Sequence, residues 1–139
     1  MFGFWKAFTI QIYRELNNGN NGRTKHWTSA HRDRKAWRKS FDSAIVMFGD
    51  GRTTAFYDHI LAPPDYQQGL VVRRVLGTKQ KFYDADSVLR GNAKELIDGL
   101  CEAGLAKDDN MKYIPWVIGD QDGDRREIGP FTEVEVWKQ

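Results

Sequence analysis

Cysteine is almost missing from the 139 residues: Cys101 stands alone. No disulfide can close within the chain, and a reducing compartment is the easier fit. Long apolar runs are also missing, and nothing approaches the roughly 20 residues that a bilayer-spanning helix needs. The apolar opening Met1-Phe2-Gly3-Phe4-Trp5-Lys6 has neither a basic lead-in nor a small-residue cleavage site, which argues against a signal peptide. Three histidines, His26, His31 and His59, lack metal-ligand spacing with the lone cysteine, so zinc is not expected. Neither a Gly-rich phosphate loop nor a nucleophile elbow occurs. These absences leave a soluble cytoplasmic protein with no membrane partner as the expectation.

What is present fits one domain spanning residues 1–139. A chain of this size buries about two-thirds of its unfolded surface and needs no covalent staple. The net charge is only +2, but it is unevenly spread. From Arg14 to Lys39 eight Lys and Arg residues are opposed only by Glu15 and Asp33, whereas the segment from Asp98 to Glu135 leans acidic. Such a chain can hold nucleic acid with one surface and a cation with another.

Hydrophobic periodicity predicts a first strand over Phe8–Tyr13, then a loop at Asn17-Asn18-Gly19-Asn20-Asn21-Gly22. A helix starts near Ser29, with Ser29 or Thr28 as N-cap. Ala30, Trp37, Phe41, Ala44, Ile45 and Phe48 form its core face, and Gly49-Asp50-Gly51 ends it. Thr53–Leu61 and Gly69–Leu76 read as strands separated by Pro63-Pro64, and Lys79–Tyr83 as a short extended piece. A second helix is predicted over Ser87–Ala103, with Leu89, Ala93, Leu96, Ile97 and Leu100 as its apolar stripe and Gly104 as terminator. Met111–Ile118 and Phe131–Trp137 complete the pattern as strands joined across a polar turn. Within it, Asp120-Gln121-Asp122-Gly123-Asp124 imitates a calcium loop, but its glycine is misplaced and its twelfth position is Phe131, so a hairpin turn is expected. The element order gives an α+β fold: a mixed or antiparallel sheet with two main helices on one side.

The chemistry concentrates in Asp84-Ala85-Asp86, Lys94, Asp98 and Asp108-Asp109. Residues two apart on an extended segment project from one face, which pairs Asp84 with Asp86. Lys94 and Asp98 share a helical face, and a tight reversal after the helix is able to return Asp108 and Asp109 toward Asp84. Magnesium prefers oxygen and typically takes one or two carboxylates with water and substrate phosphate. Crowded carboxylates repel one another unless a cation sits among them. A metal so held lowers the pKa of bound water and stabilises charge on an attacked phosphodiester, and a nearby lysine adds to that stabilisation. The same spacings also suit ordinary structure, with Asp86 as a helix N-cap, Asp108-Asp109 as a solvated turn and Lys94–Asp98 as a surface ion pair.

Asp84-Ala-Asp86 leading into a helix, then Lys94, Asp98-Gly99-Leu100, Ala103-Gly104-Leu105 and Asp108-Asp109 resembles the RusA family of Holliday junction resolvases and their phage relatives. The Asn-rich loop, Arg23, Lys25-His26-Trp27 and Ala36-Trp37-Arg38 are similar in style. The resemblance is strong from Tyr83 to Asn110 and looser elsewhere. It implies a small α+β homodimer that resolves four-way DNA junctions in recombination and repair, using Mg2+ or Mn2+. Its essential carboxylates fall on Asp84, Asp86 and Asp109, with Asp108 adjacent, and its catalytic lysine on Lys94. Ser87 replaces the family's usual Asn, and Lys94 lies eight residues after Asp86 where the best-known resolvases have four; Arg90 occupies that nearer position.

Phosphate contacts are expected from Arg23, Lys25, Arg32 and Lys35, with Trp27 stacking on an exposed base. Arg73 and Lys79 form a second candidate patch. The rival readings are a non-catalytic module of the same fold that binds branched DNA or single strands, and a nuclease of flaps or forks.

Overall fold

The computed structural model describes residues 3–18, 27–48, 53–55 and 66–139. Along these the chain forms β1 (Trp5–Ile12), α1 (Trp27–Asp42), β2 (Ile45–Phe48), β3 (Thr53–Ala55), β4 (Gln68–Val75), α2 (Ala93–Glu102), β5 (Trp116–Asp122) and β6 (Phe131–Lys138). The strands make one sheet in the order β3-β2-β1-β6-β4-β5. Every pairing is antiparallel except β4 with β5, which run parallel through α2. The α+β class expected from the sequence is what the structure has.

Alternation along the strands decides where the core lies. Ile10 and Ile12 of β1, Val46 of β2, Leu70 and Val72 of β4, and Val134 and Val136 of β6 point to one face and are buried. The helices cover that face: Trp37 and Phe41 of α1 meet Ala93, Leu96 and Leu100 of α2 in the same cluster. Gly99 lets them close, since a Cβ there would stand 3.0 Å from both the Arg38 backbone and the Trp37 side chain. Truncating a ring such as Trp37 or Phe41 in such a core costs about 3–5 kcal/mol.

Three expectations need correction. The first helix ends at Asp42, because Ser43 and Ala44 turn back on Ser40 and Phe41 and release the β-prone run Ile45–Phe48 to pair with β1. Ile45 is therefore exposed while Val46 is buried, the reverse of a helical face. The presumed terminator Gly49-Asp50-Gly51, and most of the predicted strand to Leu61, lie outside the described residues. The second helix begins at Ala93, six residues later than expected. Residues 85–90 make hydrogen-bonded turns instead, and Gly91 passes so close to Asn17 that a Cβ would fall 2.0 Å from its carbonyl oxygen. Finally, β5 and β6 form no hairpin. β4 lies between them, and the 123–130 segment carries the chain across it.

The helix terminator at Gly104 is as the sequence suggests. Gly104 takes φ +84°, Leu105 N–H donates to Leu100 O, and Gly104 N–H donates to Cys101 O. This Schellman closure satisfies the last carbonyls of α2 and reverses the chain.

Candidate functional site

β1 and β4 are parallel to each other across β6, so β1, β4 and β5 all end at one edge of the sheet. Chain leaving β4 crosses that edge and is pinned there by Tyr83. Its N–H donates to Gln121 Oε1 at 2.8 Å, Gln121 Nε2 donates to its carbonyl at 2.9 Å, and its hydroxyl donates to Leu16 O at 3.1 Å. The buried Arg74 guanidinium lies 3.6 Å from the Tyr83 ring centroid. Asn92, also buried, accepts a hydrogen bond from Asn17 N–H, tying the start of α2 to the chain leaving β1. These positioning residues escape a reading of the sequence, since they act through contacts as many as 75 residues apart.

Asp84 and Asp86 follow this pinned tyrosine and are exposed. They sit at the start of a turn, with Ser87 N–H donating to Asp84 O at 2.9 Å, so the extended arrangement expected for them is replaced. Asp86 is 72% exposed, and its carboxylate is 3.4 Å from Arg90. Ser87 is fully buried beside it.

The reversal at Gly104 brings Asp109 back to the first turn of α2. There Lys94 Nζ stands 3.5 Å from Asp98 Oδ2 and 3.6 Å from Asp109 Oδ2. A cavity of about 310 Å³ opens beside them, lined by Leu89, Ala93, Lys94, Ile97, Asp109 and Val117. Leu89 reaches it because it precedes the helix and packs over Gly119 of β5. Asp108 turns inward on its own loop, accepting from Asp109 N–H and Asn110 Nδ2.

The local field is negative. Asp98, and more weakly Asp109, hold the Lys94 ammonium above its ordinary pKa against the opposing effect of burial. Burial pushes the Cys101 thiol up to about 12, helped by Asp109, Asp98 and Asp108. Lys94 thus occupies the place between two carboxylates that a cation would take. Among the described residues, no three His, Cys, Asp or Glu side chains are arranged to hold a metal. Magnesium needs only one or two carboxylates when water and phosphate complete its shell, and Asp109 and Asp86 supply exposed oxygen donors of that kind.

Of the expected nucleic-acid contacts, Arg32, Lys35 and Lys79 are exposed. Arg23, Lys25 and the Trp27 side chain lie outside the described residues. Arg73 is otherwise engaged: it donates to Asp120 (2.7 Å), Glu133 (2.8 Å) and Glu135 (2.7 Å) on the sheet face away from the helices. Those carboxylates match its charge, which accounts for Arg73 without a phosphate. Asp122 accepts from Arg125 in the same lattice, so the calcium-like run serves to anchor arginines. No helix among the described residues is long and apolar enough to cross a membrane. No protein-family model, curated protein or solved structure matches the chain.

Proposed function

We propose that the protein is a structure-selective DNA endonuclease of the RusA type, acting on four-way junctions as a homodimer. One observation carries the reading: the reversal at Gly104 sets Asp109 against Lys94, beside a cavity whose wall begins at Leu89, three residues past Asp86. Exposed carboxylates with a lysine at an open cavity suit hydrolysis of a phosphodiester. Asp84, Asp86 and Asp109 would hold magnesium or manganese, which supplies a water of lowered pKa and charge for the attacked phosphate. Lys94, released from Asp109 by the metal, offers its ammonium to the phosphate oxygens. A two-fold dimer presents two such sites to a substrate of nearly two-fold symmetry.

The test is nicking of a synthetic four-way junction with Mg2+ or Mn2+. Asp86→Asn and Asp109→Asn are expected to reduce cutting at least about a hundredfold and leave junction binding intact. A second reading, a non-catalytic module that binds branched DNA, draws on the lack of a three-carboxylate group among the described residues. It prevails if wild-type protein binds the junction and leaves it uncut under both metals. Flap and fork substrates in the same assay separate a resolvase from a nuclease of those structures.

A further inference from the structure

The basic residues of α1 divide into two sets. Arg14, packed against this helix, and Arg34 and Arg38 within it each meet a carboxylate: Asp33, Glu102 and Asp42 respectively. Arg32, Lys35 and Lys39 are exposed and make no ion pair among the described residues. At 1.5 Å of rise per residue they line about 10 Å of helix, a length on the order of three phosphates along one strand.

This row ends at a cavity of about 270 Å³ between the end of β1 and the last turn of α1, lined by Tyr13, Lys39, Ser40 and Ser43 among others. The Tyr13 ring is 74% exposed, yet it is propped from behind by Phe131, with centroids 6.0 Å apart. A supported aromatic face beside an ammonium without a carboxylate partner is the combination that binds an unpaired nucleotide: bases stack on the ring, and phosphate meets the cation. Self-association explains the site poorly, since a second copy would bring its own row of cations to the same surface.

We propose that this cavity is a subsite for single-stranded DNA, with one base on Tyr13, its phosphate at Lys39, and the strand continuing along Lys35 and Arg32. The inference goes beyond the nuclease reading and requires no metal, so it is tested without one. A fluorescent oligothymidylate is titrated at low salt in EDTA and followed by anisotropy. Tyr13→Ala is expected to weaken binding about tenfold while Tyr13→Phe binds as wild type. Lys39→Gln should lower the slope of log K against log salt by about 0.7, and Tyr66→Ala, exposed elsewhere on the surface, should change neither quantity. Each variant is checked by its melting temperature, which should stay at the wild-type value because these side chains are largely exposed. Absence of wild-type binding, or wild-type affinity in both Tyr13→Ala and Lys39→Gln, would overturn the proposal. Junction cutting is scored separately with magnesium. Loss of cutting with this binding intact removes only the nuclease reading, and the reverse outcome removes only the subsite.

Discussion

The molecule carries two acidic regions that treat their charges differently. On the sheet face away from the helices, Asp120, Asp122, Glu133 and Glu135 are gripped by Arg73 and Arg125 at 2.6–2.9 Å, and Glu133 is only 5% exposed. Around the start of α2, Asp86, Asp98 and Asp109 meet Arg90 and Lys94 at 3.4–3.6 Å, with Asp86 and Asp109 72% and 42% exposed. Short forked arginine contacts consume a carboxylate's capacity to bind anything else. Longer contacts at the surface contribute little to stability and yield readily to a competing cation. Acidity alone therefore does not mark a site; the strength with which each carboxylate is already held does.

This contrast is open to breakage at several points. The largest effect is expected at Cys101, which reports the field around Asp98 and Asp109. A thiol raised from 9.0 to about 12 holds about a thousandfold less thiolate at pH 8. Alkylation of the folded protein should be slower than that of the denatured chain by that order, and Asp109→Asn should recover part of the rate. Equal rates in folded and denatured protein would remove the field from the argument.

Next comes Glu133→Ala, which strands Arg73 and Arg125 and should cost about 3 kcal/mol in denaturant unfolding. The acid limb of stability should follow the same residues. Burial acts to raise the Glu133 carboxyl, but hydrogen bonds from Arg125 and Arg73 outweigh it and hold it below its ordinary 4.5. Asp122 is lowered chiefly by its hydrogen bond from Arg125. A depressed folded pKa contributes in full above the unfolded value and is lost as pH falls through the folded one. Melting temperature should therefore drop as pH falls below about 4.5, and less steeply in Glu133→Gln. The smallest effect belongs to the loosely held set: Asp86→Asn should shift stability by under about 0.5 kcal/mol. A loss comparable to that of Glu133→Ala would erase the distinction.

Local signals in the sequence were read well and distant ones were not. Trp37, Phe41, Leu96 and Leu100 announce their faces through spacing, and Gly104 announces the reversal that returns Asp109 to Lys94. Ile45–Phe48 continued a helical pattern by accident, since periodicity cannot separate four apolar residues at a helix end from a strand. The late start of α2 depends on Asn17 approaching Gly91, 74 positions away along the chain and silent in local sequence. The hairpin expected between β5 and β6 failed for the same reason: sequential strands usually pair, and nothing nearby reveals that β4 stands between them. Arg73 looked like a solvent-facing cation because its three carboxylate partners come from β5 and β6.

The placement of β6 has a consequence for how this polypeptide comes to be folded. Residues 131–138 fill the slot between β1 and β4, so a nascent chain shorter than that leaves two parallel rows of unsatisfied amides facing an empty gap. The sheet cannot assemble progressively from its amino end as synthesis proceeds. A ribosome stalled before residue 131 would release a product with two adhesive edges, and cells making it would be expected to hand that fragment to chaperones or proteases.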